Sequence, residues 1–224
     1  MKKAIAILLS LTMILGLAAC GNSASQTEQP STEDTSVESK ADTKSAESST
    51  DMENTDNQDV QDHKVLVAYF SATGTTKGVA EHIANGLNAD IYEIVPEEPY
   101  TDADLDYNDN NSRTTIEMND LNARPVISGS VENMEQYDTV FIGYPIWWGE
   151  APRIVSTFVE SYDFSGKTIV PFCTSGGSDM GSSATNLEQL TNGATWLDGR
   201  RLNGSDSQDT IMEWVNSLDL NLGK

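Results

Sequence analysis

The sequence predicts a parallel α/β sheet of five strands with helices on both faces. Two observations carry this. Short, continuous apolar runs such as Val65-Leu66-Val67-Ala68-Tyr69-Phe70 have the length and composition of strands buried on both sides. Between them, apolar residues recur at helical spacing, and strand–helix alternation of this kind closes into a parallel sheet through right-handed crossovers.

The elements follow in order. Strand one is Val65–Phe70, and Val79, Ala80, Ile83, Ala84 and Leu87 then fall on one face of a helix. Ile91–Val95 reads as strand two and Thr139–Gly143 as strand three. Ile154, Val155, Phe158, Val159 and Tyr162 repeat the helical stripe, with Pro152 in its first turn. Lys167–Cys173 is strand four, where Pro171 removes a ladder donor. Residues 183–191 are expected to be helical and Ala194–Leu197 to form a weak fifth strand. Ser205 and Gln208 are placed as a capping box for a last helix carrying Ile211, Trp214, Val215 and Leu218. The acidic, Asn-rich stretch 96–131 is longer than a usual connection, so it is a functional insertion or a mobile lid, with a short helix near 112–121.

Three zones divide the chain. In residues 1–20, Lys2 and Lys3 precede an apolar run from Ala4 to Ala19, the pattern of a secretory signal rather than of a full membrane span. Its end, Leu17-Ala18-Ala19-Cys20, resembles the bacterial lipoprotein box. That resemblance implies diacylglyceryl attachment at Cys20 and anchoring at the extracytoplasmic face of the cell membrane. Residues 21–62 are Ser, Thr, acidic and amide residues with almost nothing to bury, and are expected to be a disordered tether. As a flexible coil it would span roughly 35 Å on average. Residues 63–224 form the folded domain, a usual size for one core.

Charge limits the partners. Of the net −22, +2 lies in residues 1–20 and −8 in 21–61, leaving −16 for 62–224. This excludes a basic footprint for nucleic acid and favours a partner with a basic docking patch. Two cysteines and two histidines are too few for a Cys- or His-built metal centre.

In an open parallel sheet, ligands bind beyond the carboxyl ends of the strands, where the strand order reverses. Three loops fall at that edge. Ser71-Ala72-Thr73-Gly74-Thr75-Thr76 offers hydroxyls and amides at a helix N-terminus, which suits a phosphate. Pro145-Ile146-Trp147-Trp148-Gly149 offers an aromatic face for a planar ligand. In Thr174-Ser175-Gly176-Gly177-Ser178-Asp179, paired glycines let the backbone approach a flat ring. No Ser–His, Cys–His or carboxylate–His pair occurs in these loops, and Cys173 reads as a small core residue.

The domain resembles the flavodoxins from residue 64 to about 218. Residues 67–83 follow that family's phosphate-loop pattern, with Ser71, Gly74, Thr76, Ala80 and Ile83 in place and Ala68 as the one departure, a packing change. The 145–149 and 174–177 segments look like those of a flavodoxin-like subfamily often found with lipoprotein signals. The resemblance implies strand order 2-1-3-4-5 and FMN. The phosphate is expected at Ser71, Thr73, Gly74, Thr75 and Thr76, and the isoalloxazine between Pro145–Gly149 and Thr174–Asp179, stacked on Trp147 in preference to Trp148. The expected function is a membrane-tethered extracytoplasmic electron carrier. An FMN-dependent NAD(P)H:quinone-type oxidoreductase is the alternative, and a flavin-free binding module the third.

Overall fold

The computed structural model describes residues 63–220. The signal peptide, Cys20 and the tether lie outside the described residues. Among those described, no helix is long and apolar enough to cross a membrane.

The core is one parallel sheet. β1 (Lys64–Tyr69) lies between β2 (Asp90–Glu93) and β5 (Tyr137–Pro145); β6 (Thr168–Thr174) follows, and β7 (Thr195–Trp196) completes the row. In strand order this is the 2-1-3-4-5 expected, with every neighbouring pair parallel. Period-two alternation sorts β1 between two cores. Leu66, Ala68 and Phe70 join α3 (Arg153–Glu160) and α4 (Ser183–Glu188) on one face. Val65, Val67 and Tyr69 join α1 (Thr75–Leu87) and α5 (Gln208–Asn216) on the other. The α3 stripe, Ile154, Val155, Phe158 and Val159, is almost wholly buried, a contribution of roughly 1.5–3 kcal/mol for each large side chain.

Local geometry departs from expectation in four places. The fifth strand does not end at Leu197: β8 (Arg200–Leu202) also pairs parallel with β6, beside Phe172–Thr174, while β7 pairs with Thr168 and Ile169. Pro171 stands opposite the break, where it has no N–H to offer. Gly199 fits there because any Cβ would come within 2.6 Å of the Pro171 carbonyl. Second, Ile91–Val95 is divided, because Val95 leaves the main sheet. β3 (Val95–Pro96) pairs antiparallel with β4 (Ile127–Ser128) and closes the base of the insertion. Third, α5 is capped by Ser207, whose hydroxyl accepts the Thr210 N–H, so the cap sits two residues beyond Ser205 and Gln208 opens the helix. Finally, α4 stops at Glu188. The short helix in the insertion, α2, spans Arg113–Asn119 and is capped by Ser112.

Candidate functional site

β1, β5 and β6 end side by side, so the three loops converge. The first loop enters α1 through Gly74, left-handed at φ 85°, and no side chain caps the helix. Its opening N–H groups therefore lack the partner that a capping side chain would supply. Thr76 is buried, and its Oγ1 lies 2.8 Å from Oγ1 of Thr174, at the end of β6. The Thr174 carbonyl accepts the Ile146 N–H at 2.9 Å. Thr174 thus fastens the first and second loops to the third.

The second loop is a tight reversal in which Trp147 and Glu150 exchange two backbone hydrogen bonds of 2.9 and 3.0 Å. Its central residues, Trp148 (φ 50°) and Gly149 (φ 81°), are both left-handed, as a type I′ turn requires. For a tryptophan that conformation costs about 1–2 kcal/mol, and such strain collects at functional sites. The turn is held from outside: the Glu150 carboxylate accepts from Ser182 Oγ (3.2 Å) and Asn186 Nδ2 (2.8 Å).

The adjacent tryptophans differ in role. Trp147 meets Phe70 and Tyr100 edge-to-face, each centroid 5.4 Å away, and seals the top of the core. Trp148 is 45% exposed on the rim. In the third loop, Ser175 Oγ donates to the Ser178 carbonyl and accepts the Gly177 N–H, so that amide is engaged within the loop. Gly176 has open space where a side chain would project.

Together these loops enclose a cavity of about 630 Å³, within the range of small-molecule sites. Of the residues expected from sequence, Ser71, Thr73, Thr75, Thr76, Pro145, Ile146, Trp147, Trp148, Thr174, Ser175 and Gly176 line it. Gly74, Gly149, Gly177 and Asp179, also expected there, do not line it. Ala72 and three residues of the insertion, Leu105, Tyr107 and Thr114, complete the wall. None of the lining side chains is charged. Nothing in the spacing of the insertion's residues aimed Leu105, Tyr107 or Thr114 at this edge.

The insertion is stapled down. Tyr100 Oη donates to Glu117 (2.6 Å), Arg113 Nε donates to the same carboxylate (2.7 Å), and the Arg113 guanidinium lies 4.1 Å over the Tyr100 ring. Burial, followed by the bond to Glu117, raises the Tyr100 pKa far above the ordinary tyrosine value. Thr114 Oγ1 donates to the Asp104 carbonyl at 2.6 Å. Arg124 forks onto Glu160 of α3 at 2.6 and 2.8 Å, and Arg153 donates to the Met118 carbonyl. These bonds tie the insertion to itself and to α3.

Cys173 is fully buried, and that burial pushes its pKa up to about 12, which keeps it a thiol. Among the described residues, no group of His, Cys, Asp and Glu could hold a metal ion.

A doubly wound sheet whose carboxyl-edge loops form an uncharged cavity at a helix N-terminus defines a cofactor-binding α/β domain. The flavodoxin family model matches residues 64–218, and the chain belongs to the flavodoxin family. Among solved structures, it is similar to a protein of Bacteroides eggerthii classed as a flavoprotein, at 49% identity and TM-score 0.67, covering 70% of this chain and 99% of that one. A Bacteroides uniformis protein of the same class shows 45% identity and TM-score 0.66, over 69% and 98%. A Lactobacillus acidophilus flavoprotein in complex with FMN shares the fold at 21% identity and TM-score 0.55, over 70% and 99%. No curated protein matches the chain.

Proposed function

We propose that this flavodoxin-family protein binds FMN in the three-loop cavity and serves as an electron carrier. One observation carries the reading: hydroxyls, a helix N-terminus and aromatic faces converge on one uncharged cavity. The residues fit the group. Ser71, Thr73, Gly74, Thr75 and Thr76 offer hydroxyls and amides to a phosphate, and the helix dipole adds to its hold. Trp147 and Trp148 present rings to the isoalloxazine, and Gly176 leaves room for it. When bound, FMN takes up and passes on electrons singly or in pairs.

The protein's part is to bind, orient and tune. Thr76 and Thr174 fix the spacing between the phosphate end and the ring end. Sixteen excess negative charges over residues 62–224 disfavour added negative charge in the cavity and attract a redox partner with a basic patch. The lipoprotein-like sequence at Leu17–Cys20 supports tethering to the extracytoplasmic face through Cys20.

A spectroelectrochemical titration of the FMN-loaded protein tests the carrier role. The expected result is a second one-electron couple below that of free FMN and slow oxidation of NAD(P)H. A raised couple with rapid NAD(P)H oxidation would support the reductase instead. Labelled palmitate should enter the wild-type chain and not Cys20→Ser; equal labelling, or none in either, would contradict the anchor.

A further inference from the structure

The three loops already supply what a phosphate and a flat ring system require, yet the cavity has a fourth wall. Leu105, Tyr107 and Thr114 reach it from the insertion, and the Tyr100–Glu117–Arg113 cluster, the Arg124–Glu160 fork and the β3–β4 ladder hold that wall in place. Tyr107 lines the cavity and is yet 73% exposed, so one aromatic ring that the FMN reading does not use stands open to an incoming molecule.

Charge narrows what that molecule can be. No lining residue is a cation. Lys77, Arg113 and Arg124 are paired with Glu93, Glu117 and Glu160, and Arg201, opposite Cys173 on β8, donates to Asn203. Among the described residues two helices open onto the cavity, α1 at Thr75 and α2 at Thr114, but in α2 the Thr114 and Thr115 N–H groups are already taken by the Asp104 carbonyl and the Ser112 hydroxyl. If FMN is bound as proposed above, its phosphate occupies the α1 end, and a second anion would meet neither a cation nor a free helix terminus. The excess of carboxylates over the domain adds repulsion.

Resting on that reading of FMN, we infer that the insertion wall receives a second, uncharged, planar aromatic ligand beside the cofactor, with Tyr107 as its stacking residue, and that the site rejects anionic dinucleotides. Leu105 supplies apolar contact, Thr114 has its hydroxyl committed to Asp104, and the aromatic faces select flat rings.

The test uses the full chain loaded with FMN, titrated with 1,4-naphthoquinone, with its 2-sulfonate and with NADH, and read as the perturbation of the flavin absorption band. The expected order is neutral quinone tightest, with the sulfonate about tenfold weaker or more, since its charge would be desolvated unpaired, and NADH weaker still. With the protein kept saturated with FMN, Tyr107→Ala should weaken naphthoquinone by about fivefold. Because Tyr107 is largely exposed, this variant does not threaten folding. Equal or tighter binding of the sulfonate or NADH, or naphthoquinone binding indifferent to Tyr107→Ala, would overturn the inference while leaving FMN in place. A wild-type chain that takes up no FMN would instead overturn the reading beneath it.

Discussion

The cavity has two walls built by different means. The loop wall hangs on β1, β5 and β6, whose runs are buried on both faces, and its loops are tied by Thr76, Thr174 and Ile146. The insertion wall has only a two-rung ladder and a short helix, and side chains do the rest: Tyr100, Arg113, Glu117, Arg124 and Arg153. Sheet geometry therefore dictates the first wall, while a handful of polar contacts hold the second. The first should fail only with the fold, and the second should loosen on its own.

Trp147 joins the walls, touching Phe70 of the core and Tyr100 of the insertion, so its loss gives the largest expected effect. Trp147→Ala should lower stability by about 3 kcal/mol, measured by urea unfolding. Trp148→Ala, at an exposed and strained position, should change it by no more than about 0.5 kcal/mol. Equal costs would mean that the two rings do not divide the work as described.

Next is Thr76→Val, which keeps the shape and leaves Thr174 Oγ1 without its partner. The expected loss is about 1–3 kcal/mol, seen both in unfolding and as weaker FMN binding by calorimetry. A smaller effect separates the walls. Tyr100→Phe should cost about 1 kcal/mol and speed hydrogen exchange in residues 100–119 while β5 and β6 stay protected. Exchange rising equally everywhere would show that the insertion is not an independent unit.

The smallest effect is acid loosening at Arg124–Glu160. The hydrogen bond from Arg124 lowers the Glu160 pKa below its ordinary 4.5. Its stabilising contribution is therefore complete above that value and is lost as pH falls through the depressed pKa. Because the pair is partly exposed, a few tenths of a kcal/mol are expected. The check is local hydrogen exchange near residues 120–126 on acidification, absent in Glu160→Gln. Global melting is a poorer readout, because acid also relieves the repulsion among the carboxylates.

The same contrast explains what could be read in advance. Unbroken apolar runs and helical stripes made the parallel sheet and its two-faced packing legible, the strand order came from the resemblance to the flavodoxins, and Ser71–Thr76, Pro145–Gly149 and Thr174–Gly177 fall at one edge by topology. Where structure rests on a single side chain, periodicity carries little. Arg200-Arg201-Leu202 reads as polar, yet it continues the sheet because β6 offers free rungs beyond Pro171. Ser207 displaces Ser205 as the cap through one hydroxyl. Leu105, Tyr107 and Thr114 reach the cavity only because distant polar pairs fold the insertion back, and such pairs leave no repeat in the sequence.

The central claim is that the three loops form a flavin site. Its most direct test is a titration of the full chain with FMN, followed by flavin fluorescence. Saturable quenching at about micromolar concentrations or below, weakened in Thr76→Val, is the result this account predicts. Fluorescence unchanged across that range would contradict it and leave a flavodoxin fold without its cofactor.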